Sequence, residues 1–312
     1  MTSIPFASMI EEFLEGYIPP ARSRTTCRLM NQSIRELRAD PLLKTASDLS
    51  PAAIWRWMRR HPDRTPITTS VHLRNVRVLC NYAVGRGFLV ASPFAFDSKL
   101  KKATHVRKVD RRRHHSLLEI GCVLGYLRDR SRLSWEDGRL FALAGLAAFT
   151  GVRALEAQFA EIGDFDLENG FFRVEPKPTH PLKTESSERD VPIPPPLAEI
   201  LGSWLPRARS NWAFPGVKRM GPWIGGSTGS RPLDRLKSSG LAVGVRGFTF
   251  LSLRHSFITH GAGPWGLGSI QIQQIAGHSL ADTQRHYLGR DRANLREAVA
   301  TIAFPMPAPI AR

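Results

Sequence analysis

The 312-residue chain is 42% apolar, enough to build two packed cores at about 100–200 residues per domain, which excludes a largely disordered chain. Its 44 Lys and Arg against 27 Asp and Glu give a formal charge of +17, an excess that calls for an anionic partner. The most apolar stretch, Leu140 to Val152, is bounded by Arg139 and Arg153 and falls short of the about 20 apolar residues a membrane span needs.

Residues 1–20 hold Glu11, Glu12 and Glu15 and lack a basic start followed by an apolar core, so no secretory leader is expected. Cys27, Cys80 and Cys122 are far apart and form no Cys-x-x-Cys pair, which argues against a disulfide framework and a structural zinc site. A cytoplasmic protein with reduced thiols is expected.

Residues 1–97 predict a helical unit. Arg22 to Ala39 reads as a helix carrying Arg22, Arg24, Arg28, Arg35 and Arg38. Ser50-Pro51 is a helix start, Ser at the N-cap and Pro at N1, followed by Ile54, Trp55 and Met58 at apolar spacing before His61-Pro62 ends it. A helix from Thr69 to Gly85 places Val71, Val78, Leu79 and Tyr82 toward a core and Arg74 and Arg77 elsewhere. Residues 98–113 hold Lys99, Lys101, Lys102, Arg107, Lys108, Arg111, Arg112 and Arg113 with little apolar periodicity, and read as a basic interdomain linker. Together with Arg74 and Arg77 these are candidate phosphate contacts, since each cation near a phosphate backbone releases a counterion. A plain solvated basic face is the alternative for each. The charge is lopsided: residues 1–113 carry 21 basic and 9 acidic groups, residues 114–312 carry 23 and 18.

The second unit, 114–312, opens on a capping box, Ser116-Leu-Leu-Glu119. Helices are predicted over Ser116–Arg130 and Asp137–Phe149. Phe165 to Val174 reads as two short strands around Asn169-Gly170, and Arg189 to Ile193 as a third. Helical signals return around Leu233–Lys237, Phe250–His260, Ile270–Ala276 and Ala293–Ile302. The fold class is mainly α with a small antiparallel β-sheet: a helical N-terminal domain and an α+β second domain.

Candidate chemical groups are individually weak. Arg153 in Thr150-Gly-Val-Arg-Ala-Leu-Glu156 could simply pair with Glu156 at i+3. Lys183 lies in a predicted hairpin turn, Arg254 and His255 in Leu251-Ser-Leu-Arg-His-Ser-Phe257, His278 after Gly277, and Tyr287 nine residues on. Taken in order, two arginines, a hairpin lysine, a Gly-His turn and a downstream tyrosine resemble the tyrosine recombinase (phage integrase) family. Thr150-Gly-Val-Arg153 with Glu156 is similar to its first arginine box. Lys183-Thr184 leading to Arg189-Asp-Val-Pro192 is similar to its hairpin lysine segment. Leu253-Arg254-His255, Ile275-Ala-Gly-His278-Ser279 and Thr283 to Tyr287 are similar to the second arginine box, the histidine turn and the nucleophile helix. Thr69 to Phe94 resembles the end of the family's helical core-binding domain.

The resemblance implies a site-specific recombinase that cleaves and rejoins DNA through a 3′-phosphotyrosyl intermediate, in integration, excision or transposition. Arg153, Arg254 and His278 would stabilise the phosphoryl oxygens, Tyr287 would attack, and Lys183 would protonate the leaving 5′ oxygen, with Glu156 and His255 in support. It implies double-stranded DNA with specific sites as partner and a homotetramer on paired sites, alone or with sister recombinases. No cofactor or metal is expected, because the scheme stores the phosphodiester energy in the protein–DNA bond. The sequence carries neither a phosphate-binding Gly-x-x-x-x-Gly-Lys-Ser/Thr loop nor an evident acidic metal cluster. Gly221 to Gly229 reads as a loop. One position departs from the family pattern: three residues before the second arginine, where His or Lys is usual, stands Leu251, which can neither donate to phosphate nor carry a proton. A catalytically weak accessory DNA-binding subunit and a type IB topoisomerase-like strand relaxer are the alternatives. The helix Ala293–Ile302 could dock on a neighbouring protomer or on its own domain.

Overall fold

The computed structural model describes residues 4–16, 24–105, 114–182, 187–216, 221–225, 227, 229–277 and 292–309. The chain divides into two compact units, Met1–Asp110 and Arg111–Arg312.

The first unit is helical: α1 (Phe6–Gly16), α2 (Arg24–Arg38), α3 (Pro51–Arg59), α4 (Pro66–Gly85), α5 (Pro93–Phe96) and α6 (Ser98–Ala103). The Ser50 hydroxyl accepts from the Ala53 amide at 3.3 Å and Pro51 opens α3. The same chemistry starts α4 earlier than Thr69: Thr65 caps the Thr68 amide at 3.2 Å and Pro66 takes N1. The core face of α4 is Leu73, Val76, Leu79, Cys80 and Ala83, with Val71 and Val78 half-buried. The two valines flank the buried stripe and do not centre it. Buried Ser33 bridges α2 to α4, 2.9 Å from His72 Nδ1 and accepting from Asn75 Nδ2 at 2.9 Å.

The stretch read as linker does not begin at residue 98. Asp97 accepts from the amides of Lys99 and Leu100 at 2.8 and 3.1 Å, and Leu100 is fully buried in the first core. One N-cap and one apolar anchor hold this short helix, a pattern too sparse to register as periodicity among lysines. Lys99, Lys101 and Lys102 stay exposed.

The second unit comprises α7 (Leu117–Ser131), α8 (Trp135–Thr150), α9 (Ala154–Gln158), β1 (Phe165–Asp166), β2 (Phe171–Val174), β3 (Arg189–Pro192), α10 (Pro195–Ala208), α11 (Pro232–Ala242), α12 (Phe250–Ala262), α13 (Ser269–Ala276) and the helix named here α14 (Arg292–Val299). The predicted capping box forms, with Ser116 and Glu119 each accepting the other's amide at 3.1 and 2.9 Å. Helix α8 is buried on nearly every side from Leu140 to Thr150 and packs against α7, α10 and α12. The apolar run at its centre is thus a core helix, and among the described residues no helix is long and apolar enough to cross a membrane.

The sheet is antiparallel in the order β1-β2-β3, pairing Phe165 with Phe172 and Val174 with Arg189. Leu295 and Val299 of α14, with Ile302 and Phe304 beyond it, are buried in this unit's own core. Phe304 meets Phe149 edge-on with ring centroids 4.7 Å apart. Between the two docking modes the sequence allows, the described C-terminal segment packs on its own unit.

Candidate active site

Two helix ends meet at one place. Helix α8 ends at Gly151, φ 62°, whose amide bonds back to Ala147. A Cβ there would lie 2.5 Å from the Phe257 ring of α12, so this position demands glycine twice over. Arg153 follows at once as the N-cap of α9. Helix α13 ends likewise at Gly277, φ 69°, where a Cβ would sit 2.5 Å from the Arg189 guanidinium.

A helix C-terminus leaves carbonyl oxygens without intrahelical partners and carries a partial negative charge. Here guanidinium groups take those oxygens. Arg254 Nη1 donates to Gly151 O at 2.8 Å and to Ala276 O at 2.6 Å. Arg189 Nε donates to Ile275 O at 2.8 Å, and Arg153 Nη2 to Gly277 O at 2.7 Å. The Glu156 carboxylate lies between two of them. Its Oε1 accepts from Arg153 Nη1 at 2.5 Å, and its Oε2 from Arg189 Nη2 at 2.8 Å and from the Arg153 amide at 3.0 Å. Ser187 completes the cluster, its carbonyl accepting from Arg189 Nη1 at 2.7 Å and its hydroxyl 3.5 Å from Arg153 Nη1.

Burial works against the Glu156 charge, but the guanidinium of Arg189 and the bonds from Arg153 hold its carboxyl below the usual range. Burial, with Arg153 close by, brings Arg254 down to about 10, so it stays cationic at neutral pH. Arg189 is lowered by burial against the pull of Glu156. Arg153 is the most open, its side chain 32% exposed against 8% for Arg189.

No protein-family model matches the chain, and no curated relative does. Solved structures do. The lambda integrase dimer bound to a COC′ core site is similar with a TM-score of 0.65 and 16% identity, over 93% of this chain and 78% of that one. The Tn1549 transposon integrase in complex with transposon right end DNA gives 0.68 and 17%, over 95% of this chain and 100% of the other. The chain has the tyrosine recombinase fold.

Within that fold Arg153, Glu156 and Arg254 come together as a single hydrogen-bonded cluster. His255 is half-buried on α12, and Leu251, one turn earlier, is 64% exposed. Lys183, His278 and Tyr287 lie outside the described residues, as do Arg107, Lys108, Arg111, Arg112 and Arg113. The residues flanking them are informative. Ser187 lies four positions after Lys183 and Gly277 immediately precedes His278, and both bond to the arginine cluster. Arg74 is exposed on α4 and Arg77 half-buried.

In the sequence Arg189 stands at a strand start and in the segment after the hairpin lysine, with no site role of its own. A signal was present: side chains alternate along a strand, so Arg189 shares a face with the fully buried Val191. A charged residue on the inward face needs partners, and Glu156 is one.

Proposed function

We propose that the protein is a site-specific DNA recombinase acting through a 3′-phosphotyrosyl intermediate. Tyr287 Oη attacks the scissile phosphorus and gives up its phenolic proton to solvent, and the bond to the 5′ oxygen breaks. That oxygen takes its proton from the Lys183 ammonium. Arg153, Arg254 and His278 stabilise the charge that builds on the non-bridging oxygens. Attack by a 5′-hydroxyl of another strand reverses the sequence, so no cofactor or metal takes part.

The observation that carries this reading is the convergence of Arg153, Arg189 and Arg254 on the carbonyls around Gly151 and Gly277. It gathers three rigid guanidinium groups beside Gly277, which precedes His278, and Ser187, four positions after Lys183, and planar forks suit phosphate oxygens. The lambda integrase tetramer bound to a Holliday junction, similar at a TM-score of 0.66 and 14% identity, supports assembly as a homotetramer on paired sites, alone or with sister recombinases. The first unit, through α6, acts as the core-binding domain and 114–312 as the catalytic domain. Arg74, Arg77, Lys99, Lys101 and Lys102, with the basic residues from Arg107 to Arg113, contact the DNA backbone.

A second reading, an accessory DNA-binding subunit that cuts poorly, is favoured by Leu251, an exposed apolar side chain three residues before Arg254 on α12. The test is a nicked suicide duplex bearing inverted repeats identified in the DNA that flanks the encoding gene. A denaturant-resistant protein–DNA adduct that disappears in Tyr287→Phe supports recombination. DNA binding without an adduct favours the accessory reading, and sequence-independent relaxation of supercoiled plasmid favours a topoisomerase.

A further inference from the structure

Lys177 is a nearly buried cation outside the arginine cluster. Its side chain is 7% exposed, and its Nζ lies 2.7 Å from Asp164 Oδ1, 2.9 Å from Glu175 Oε1 and 3.4 Å from Glu161 Oε2. One ammonium thus gathers carboxylates from two segments: Glu161 and Asp164 at the two ends of the short turn between α9 and β1, and Glu175 just after β2. Burial opposes its charge, but Asp164 and Glu175 hold the lysine pKa above its ordinary value. The three carboxylates share that one cation, and burial lifts Asp164, the most enclosed of them, above the usual carboxylate range.

The chain then closes a tight turn. The amide of Lys177 donates to His180 O at 3.1 Å and the amide of His180 to Lys177 O at 2.9 Å. The His180 ring stacks on Phe159, the residue that ends α9, at 4.4 Å and 15°. Glu156, Phe159, Lys177, His180 and Leu182 line one small cavity. The segment that precedes Lys183 is therefore fastened at His180 to Phe159, the C-cap of α9, and at Lys177 to the turn that follows that helix.

We propose that Lys177 is a positioning residue for strand cleavage, fixing through Asp164, Glu161 and Glu175 where the hairpin chain departs toward Lys183. This rests on the recombinase reading above. A buried ion pair could equally serve stability alone, so the test must separate proton delivery from folding. A scissile phosphate with sulfur in place of the bridging 5′ oxygen leaves as a thiolate and does not need protonation.

The experiment measures single-turnover adduct formation on two suicide duplexes carrying the flanking inverted repeat, one with oxygen and one with sulfur at the position the wild-type protein cuts. Lys177→Met is expected to lose about 10–100-fold on the oxygen substrate, the scale of a misplaced catalytic group, while staying close to wild type on sulfur. Lys183→Met supplies the reference pattern. Because Lys177→Met leaves three carboxylates against an apolar chain, Glu175→Gln is measured beside it. It removes one charge, keeps a hydrogen-bonding side chain and is expected to show the same selective loss at smaller size. Equal losses on both substrates, or no loss in either variant, overturn the inference while leaving the recombinase reading intact. An absence of adduct with the wild-type protein refutes the recombinase reading and the inference with it.

Discussion

Glu156 offers the most direct test of how the arginine cluster is held. Its two carboxylate oxygens accept from Arg153 and Arg189, and its side chain is 4% exposed. Glu156→Gln keeps the shape but offers only one acceptor oxygen and turns an NH2 group toward a guanidinium donor. One buried donor loses its partner and the Arg189 charge loses its counter-ion. Breaking a buried pair from one side costs about 3–5 kcal/mol, and the retained carboxamide bond places the expected loss near the lower end, about 3 kcal/mol. Because the chain has two units, a single unfolding transition is a poor readout. Amide hydrogen exchange over α8, α9 and β3 is the appropriate assay, with α4 as an internal control. Glu156→Gln combined with Arg189→Met should recover part of the loss, since the orphaned charge leaves with its partner. The carboxyl is held below its ordinary value of 4.5, so its stabilisation is present above that pH and is lost as pH falls through the lower folded value. The Gln variant should lack this acid dependence. A loss below about 1 kcal/mol, the scale of an exposed ion pair, or an equal loss in α4, refutes the reasoning.

Gly151→Ala should destabilise the second unit by about 2–4 kcal/mol, combining the cost of a left-handed residue with overpacking against Phe257; amide hydrogen exchange in α8 and α12 within experimental error of wild type would contradict the close approach. Burial, with Arg64 adding to it, pushes His72 below its usual pKa of 6.5, so the fold favours the neutral ring and the first unit should lose stability as pH falls below about 6.5 toward the folded value. Hydrogen exchange in α2 and α4 between pH 7.5 and 5 reads this, and His72→Gln should flatten the profile. Leu251→His, at a 64% exposed position, should change stability by less than about 0.5 kcal/mol while raising the rate of adduct formation. An unchanged rate would mean that the missing donor does not limit cleavage.

Features legible in the sequence depend on neighbours within a few positions. Ser50-Pro51, the Ser116–Glu119 box, the Asn169-Gly170 turn and the Arg153–Glu156 pair were all readable because both halves of each interaction sit side by side in the chain. The contacts that assemble the site are of another kind: Arg189 reaches Glu156 across 33 positions, Arg254 reaches Gly151 across 103, and Arg153 reaches Gly277 across 124. Their acceptors are mostly main-chain carbonyls, and a carbonyl carries no residue-type signature. Lys177 has one carboxylate close by in the chain, Glu175 two positions earlier, but Glu161 and Asp164 precede it by 16 and 13 positions, so its buried cluster has no local signature.

The choice of carbonyl partners also bears on how a nearly balanced domain can treat phosphate. A guanidinium paired with a carboxylate is neutralised, whereas one bonded to carbonyls is oriented and keeps its charge. Among the described site residues Arg153, Arg189 and Arg254 meet one carboxylate, Glu156, which leaves a net charge of +2. In the proposed cleavage a phosphodiester carries one negative charge and gains a second as the attacking oxygen adds, so a fixed +2 would favour the transition state over the bound substrate. Glu156→Gln separates the two contributions. It raises the local charge to +3 while loosening the arginines, so a fall in cleavage rate shows that orientation outweighs charge. A rise would mean that charge alone drives the step.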